Sequence, residues 1–122
     1  MEPFDWTWVS QIAPDDLPDR ITTYLAAHQT RDLDTAIAQY TPDAVVTDEG
    51  HDHDGPSAIR AWLARSATEY TYTTTLTAAY RADQHHFDVL HRLQGNFPGG
   101  VADLHYRFTL RDGHIARLVI EP

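Results

Sequence analysis

The chain has 122 residues, enough for one domain that hides about two-thirds of its unfolded surface and holds a core without staples. It has no cysteine, which excludes disulfides, thiolate metal sites, iron–sulfur clusters and cysteine nucleophiles, and no apolar run approaches the ~18 residues of a membrane-crossing helix. Eighteen acidic residues stand against nine basic ones, all arginine, for a net charge of −9; that field disfavours nucleic acid and anionic membranes, and the lack of lysine excludes Schiff-base chemistry.

Phe4, Trp6 and Trp8 alternate with polar residues and predict a short extended arm within residues 1–15. The acidic opening Met1-Glu2-Pro3-Phe4-Asp5 lacks the basic and then apolar stretches of a secretion signal, so a cytoplasmic location is expected. Asp15, Asp16 and Pro18 supply a helix start, after which Ile21, Tyr24, Leu25 and His28 recur on one face. Asp32 offers a second start, with Leu33, Ala36, Ile37 and Tyr40 as the buried stripe and Pro42 as the stop. Ala44-Val45-Val46-Thr47-Asp48 is rich in strand formers and is ended by Glu49-Gly50; Gly55-Pro56 then opens a third helix bearing Ile59, Trp62 and Leu63. From Tyr70 to Ala82 the residues alternate as a two-faced strand, and His85 to Gln94 pairs back upon it. Val101 to Leu110 and Ile115 to Ile120 follow, joined by the hairpin signal Asp112-Gly113. Helices first and antiparallel strands last predict a single α+β domain over residues 1–122, a curved, mostly antiparallel sheet packed against three N-terminal helices.

Histidine and aromatic residues are in surplus, with eight His, three Trp, six Tyr and four Phe, which are materials for an acid–base site in an aromatic pocket or for an ordinary core. Asp48 follows Val46 by two residues, so both share the inward face of the strand, where partial desolvation would raise a carboxyl toward the range of a general base; an Asp there also serves as a turn cap. Tyr24 lies on the buried stripe of the first helix, either as a donor to a developing oxyanion or as simple packing. His91 shares an alternate set with Phe87, Val89 and Leu93 and is the one histidine whose strand pattern directs it inward, as a proton carrier or as a hydrogen-bonded core residue. His51 and His53 point the same way in extended chain, but no third and fourth ligand is evident, so no metal site is assigned.

The order of elements, with Val45-Val46-Thr47-Asp48-Glu49-Gly50 running into Gly55-Pro56-Ser57-Ala58-Ile59-Arg60-Ala61-Trp62-Leu63, resembles the SnoaL-like branch of the nuclear-transport-factor-2-like superfamily from about Asp16 to the end. That resemblance implies a cone-shaped sheet with a hollow that binds a small molecule; relatives include ketosteroid isomerase, polyketide cyclases, scytalone dehydratase and limonene epoxide hydrolase. Against ketosteroid isomerase, Thr23-Tyr24-Leu25-Ala26-Ala27 stands where that enzyme has its pocket tyrosine, and Val46-Thr47-Asp48-Glu49-Gly50 where it has its general base. The third acid of that enzyme falls at Leu104 or His105, with Asp103 one residue away, so steroid isomerisation itself is not implied.

On this reading the chain is an acid–base enzyme without a cofactor, acting on a small apolar carbonyl compound by isomerisation, cyclisation or dehydration. Asp48, Tyr24 and His91 would be catalytic, and Tyr40, Trp62, Tyr72, Leu104, Tyr106 and Phe108 would line or fill the cavity. The alternative is a non-catalytic domain that holds a hydrophobic ligand. The family also implies a homodimer paired through the sheet. Asp88, Arg92, Asp103, His105 and Arg107 fall on the outer face; were the faces exchanged by a bulge, they would form an Asp–Arg–Asp cluster like that of limonene epoxide hydrolase.

Overall fold

The structure, a computed structural model, describes residues 4–69 and 71–122, and the side chains of all of these but 67–69. Tyr70, the expected first residue of the long strand, lies outside the described residues, as does Met1-Glu2-Pro3 of the acidic opening.

The expected extended arm is displaced. Residues 4–9 are irregular, and the strand comes later, as β1 (Ser10–Ile12), paired with the edge of β4 (Tyr72–Arg81). A 3-10 turn over Pro14–Asp16 leads into α1 (Asp19–Thr30), which buries Ile21, Tyr24 and Ala27. Asp32 caps α2 (Leu33–Ala38) by accepting from the Thr35 N–H, as expected, but the helix stops two residues before Tyr40. Tyr40 instead opens β2 (Tyr40–Asp48), because its backbone is taken up by pairing with Ile115. The hairpin residues Glu49 and Gly50 both have positive φ, 53° and 76°, which sends the chain straight back as β3 (His51–Asp54), a strand the sequence reading leaves as a loop. Then come α3 (Gly55–Glu69), β5 (His86–Gly95), β6 (Val101–Arg111) and β7 (His114–Glu121).

Among the described residues the strands form one sheet in the order β1-β4-β5-β6-β7-β2-β3. Neighbours run antiparallel except β2 and β7, which are parallel. The α+β architecture expected from sequence is present, three helices against a curved, mostly antiparallel sheet. Register sets the inner face. Val89, Tyr106, Ile120 and Asp48 stand in one cross-strand row, and Phe87, Phe108, Leu118 and Val46 in the next. The apolar row closes the core against Ile21, Tyr24 and Ile59, all fully buried. No bulge exchanges the faces of β5 and β6: Arg92 is paired with Asp103 across an exposed outer face. The epoxide-hydrolase-like cluster therefore does not line the interior. One outer residue departs from a plain charged surface: Asp88 is only 4 % exposed, held by His105 Nδ1 at 2.9 Å and the Arg107 guanidinium at 3.3 Å. The Trp6 ring lies 5.8 Å from that guanidinium, and Phe4 stacks on His86, so the arm packs against this face. No helix of the described residues is long and apolar enough to cross a membrane.

Candidate active site

Asp48 ends β2 beside the tight turn, and its place in the row of Tyr106 and Ile120 brings it to the wall of a cavity of about 670 Å3. Its Oδ2 accepts a hydrogen bond from Trp62 Nε1 at 3.0 Å, which fixes the carboxylate from the side of α3. Among the described residues no cation pairs with it. Trp62 is itself flanked by the rings of His28, 6.3 Å away, and His53, stacked at 5.8 Å. His53 is therefore a support for Trp62, while His51 is exposed on the strand beside it. Among the described residues no group of three or more His, Asp or Glu side chains is arranged to hold a metal ion.

The structure divides the residues picked from sequence. Asp48, Trp62, Tyr72, Leu104 and Tyr106 line the cavity. Tyr24, Tyr40, His91 and Phe108 are not among its wall residues, although all four are buried. Tyr24 and Phe108 are fully buried one row deeper, and the Tyr24 ring meets Tyr40 and Phe108 edge-on at 5.1 and 5.9 Å. His91 turns its ring edge-on against Tyr106, with centroids 4.5 Å apart. The Tyr24 and Tyr40 hydroxyls neighbour each other without meeting hydrogen-bond geometry, and His91 Nδ1 likewise has no partner among the described residues. Buried polar atoms left this way are costly, and they concentrate at functional sites.

The sequence reading assigned no role to His28, which lines the cavity while His91 does not. Its signal was available: it stands four residues after Tyr24 on the buried stripe of α1, the same kind of argument that selected His91.

Electrostatics tie these groups together. Burial raises the phenols of Tyr24, Tyr40, Tyr72 and Tyr106 above the ordinary tyrosine value, with the charge of Asp48 adding to the shift at Tyr24, Tyr72 and Tyr106. Burial pushes His91 down to about 4, helped by His28, and lowers His28 against the opposing pull of Asp48. At neutral pH the four phenols are O–H donors and both imidazoles are neutral. The wall thus offers an aimed carboxylate, two phenols and a neutral histidine within an apolar enclosure. That set can remove a proton from carbon and stabilise the oxyanion that results.

The sequence profile of the SnoaL-like domain matches residues 21–118. Among solved structures, the chain is similar to a candidate polyketide cyclase from Sinorhizobium meliloti, with 35 % identity over 90 % of this chain and 100 % of that one and a TM-score of 0.84. A Catenulispora acidiphila protein with a ketosteroid isomerase-like fold, solved with trimethylamine, is 20 % identical over 86 % of this chain and 85 % of that one, with a TM-score of 0.74. A Mycobacterium tuberculosis protein in complex with estradiol-17beta-hemisuccinate is 14 % identical over 84 % of this chain and 90 % of that one, with a TM-score of 0.71, a likeness of fold. No curated protein matches the chain.

Proposed function

Because the chain belongs to the SnoaL-like domain family, we propose that it is a cofactor-independent acid–base enzyme acting on a small apolar carbonyl compound, of isomerase, cyclase or dehydratase type. The observation that carries this reading is Asp48, a carboxylate at the wall of an aromatic cavity, free of any cationic partner among the described residues and aimed by Trp62. In the common first step, Asp48 takes a proton from the carbon beside the carbonyl, and the C–H electron pair moves to the carbonyl oxygen as an enolate. Tyr72 and Tyr106 are the phenols at the wall to meet that oxygen. Of the two residues assigned from sequence as the oxyanion donor and the proton relay, His91 acts in this proposal through Tyr106, whose ring it touches, and Tyr24 supports the wall from behind through Tyr40 and Phe108. That a protein of the same fold holds an estradiol ester supports a ligand of this size and character.

The test is deuterium uptake beside the carbonyl of an apolar ketone such as 2-tetralone. The protein should accelerate exchange, and Asp48→Asn should remove about 100-fold or more of that acceleration. Equal rates for the two proteins would overturn the assignment. A second reading, a ligand-binding domain without chemistry, is favoured by the absence of Tyr24 and His91 from the wall; it predicts ketone binding with no exchange above buffer. The same proposal has the chain paired as a homodimer through its sheet, and a monomer by light scattering at micromolar concentration would count against it.

A further inference from the structure

A smaller void of about 170 Å3 lies between the α1–α2 corner and β4, and it shares two wall residues, His28 and Tyr72, with the large cavity. The two spaces differ in charge. The large cavity has Asp48, Glu49 and Glu121 on its wall and, among the described residues, no arginine. The smaller one has one charge of each sign on its wall, Arg31 and Asp32, together with Thr73 and Thr74. Asp32, beside Arg31, is committed to capping α2 through the Thr35 N–H and hydroxyl. The Arg31 side chain has no hydrogen-bond or ion-pair partner among the described residues, and its charge is felt at the Tyr72 phenol.

Arg31 also sits where the backbone would prefer another residue. It closes α1 in the left-handed conformation, φ 60° and ψ 34°, with its N–H directed to the carbonyls of Ala27 and His28. Glycine takes that position without strain, whereas an arginine there is held against its own preference. A local rule broken at the wall of a void points to a use for the side chain.

Building on the carbonyl-compound reading above, we propose that the two voids are one ligand site: the large cavity takes the apolar ketone body, and the small one takes an acidic tail that pairs with Arg31. Tyr72, half-buried between them, is the side chain that turns aside to let the tail through. The smaller space holds several water-sized groups, which suits a short carboxyalkyl chain. The arrangement fixes orientation as well as composition, because a carboxylate placed in the large cavity would face three like charges.

Two probes with the same ring ketone decide it, 2-acetylnaphthalene and 3-(2-naphthoyl)propionate, titrated by calorimetry. The keto acid should bind about 10-fold more tightly than the neutral ketone. Arg31→Gly, which suits the left-handed backbone, should abolish that advantage with no fall in melting temperature, and Arg31→Gln, which keeps a polar side chain without the charge, should do the same. Neutral-ketone affinity should be unchanged in both variants. A keto acid that binds no better than the ketone, or as tightly to both variants as to the parent, overturns the inference and leaves the carbonyl-compound reading intact. Equal losses for both probes in the variants also overturn it, since the role of Arg31 would then be structural. Failure of both probes to bind the parent protein would remove the cavity reading and this inference with it.

Discussion

A carboxylate works as a general base only when its lone pair is held toward the carbon it must deprotonate, and at Asp48 the Trp62 indole N–H supplies that hold. Trp62→Phe keeps most of the ring's packing against His28 and His53 and removes the 3.0 Å bond. The loss of one hydrogen bond to a charged group corresponds to roughly a 10- to 100-fold fall in kcat, with KM little changed, whereas Asp48→Asn should be more severe. Steady-state rates on one ketone separate the two, and a KM effect alone for Trp62→Phe would mean that the indole serves only to bind. Asp48 was legible in sequence because a strand pattern and a turn signal meet there: Val46 fixes its face and Glu49-Gly50 its exposure. The two histidines were not equally legible. Periodicity tells which face a residue shares, but it cannot tell how deep along a tapering interior that residue lies. His91 and His28 are both on inward faces, yet only His28 reaches the wall.

The elements that escaped the sequence reading are those whose form is imposed by partners. His51-Asp52-His53-Asp54 has no strand propensity of its own; β3 exists because the Glu49-Gly50 turn returns it against β2, where the Thr47 hydroxyl donates to Asp52. Two helix starts written into local chemistry match the sequence reading, at Asp32 and at Gly55, whereas Asp15 and Asp16 fall in a 3-10 turn ahead of α1 and α2 ends before Tyr40. The Asp32 cap matters because α2 has six residues, too few to hold on propensity, and Asp32→Ala should cost about 1 kcal/mol in chemical denaturation. A stability unchanged within error would show that packing alone holds α2. A larger effect is expected at Gly95, where β5 crosses the start of β4. A Cβ built there would lie 2.3 Å from the Thr71 carbonyl oxygen and 2.7 Å from the Tyr72 Cα, both backbone atoms. Gly95→Ala should therefore destabilise by about 1–3 kcal/mol and displace Tyr72 from the cavity wall, weakening ligand binding in the same variant. Intact binding at lowered stability would show that the strand yields elsewhere.

At the scale of the molecule, the fold class followed from the order of helices and strands, but the sheet order did not. The parallel contact of β2 with β7 and the edge position of β1 join residues far apart in sequence, and no local pattern encodes them. What the closed interior does to its histidines is likewise a property of the whole. His91, 4 % exposed opposite Leu104, is held neutral down to about 4, while in the unfolded chain it takes up a proton near its ordinary value of 6.5. Above pH 6.5 neither state is protonated and the group has no effect on stability. As pH falls below 6.5 the unfolded chain binds a proton that the folded one refuses, so stability drops until the folded state is also protonated near 4. The full window corresponds to about 3 kcal/mol, of which about 2 kcal/mol is lost between pH 7 and 5. His28, lowered in the same direction, adds to the slope. Denaturation of the parent protein and of His91→Leu at pH 7 and 5 isolates the contribution: the variant should lose about 2 kcal/mol less than the parent over that interval. An identical loss in both would place the proton uptake at other groups and leave His91 protonated inside the fold.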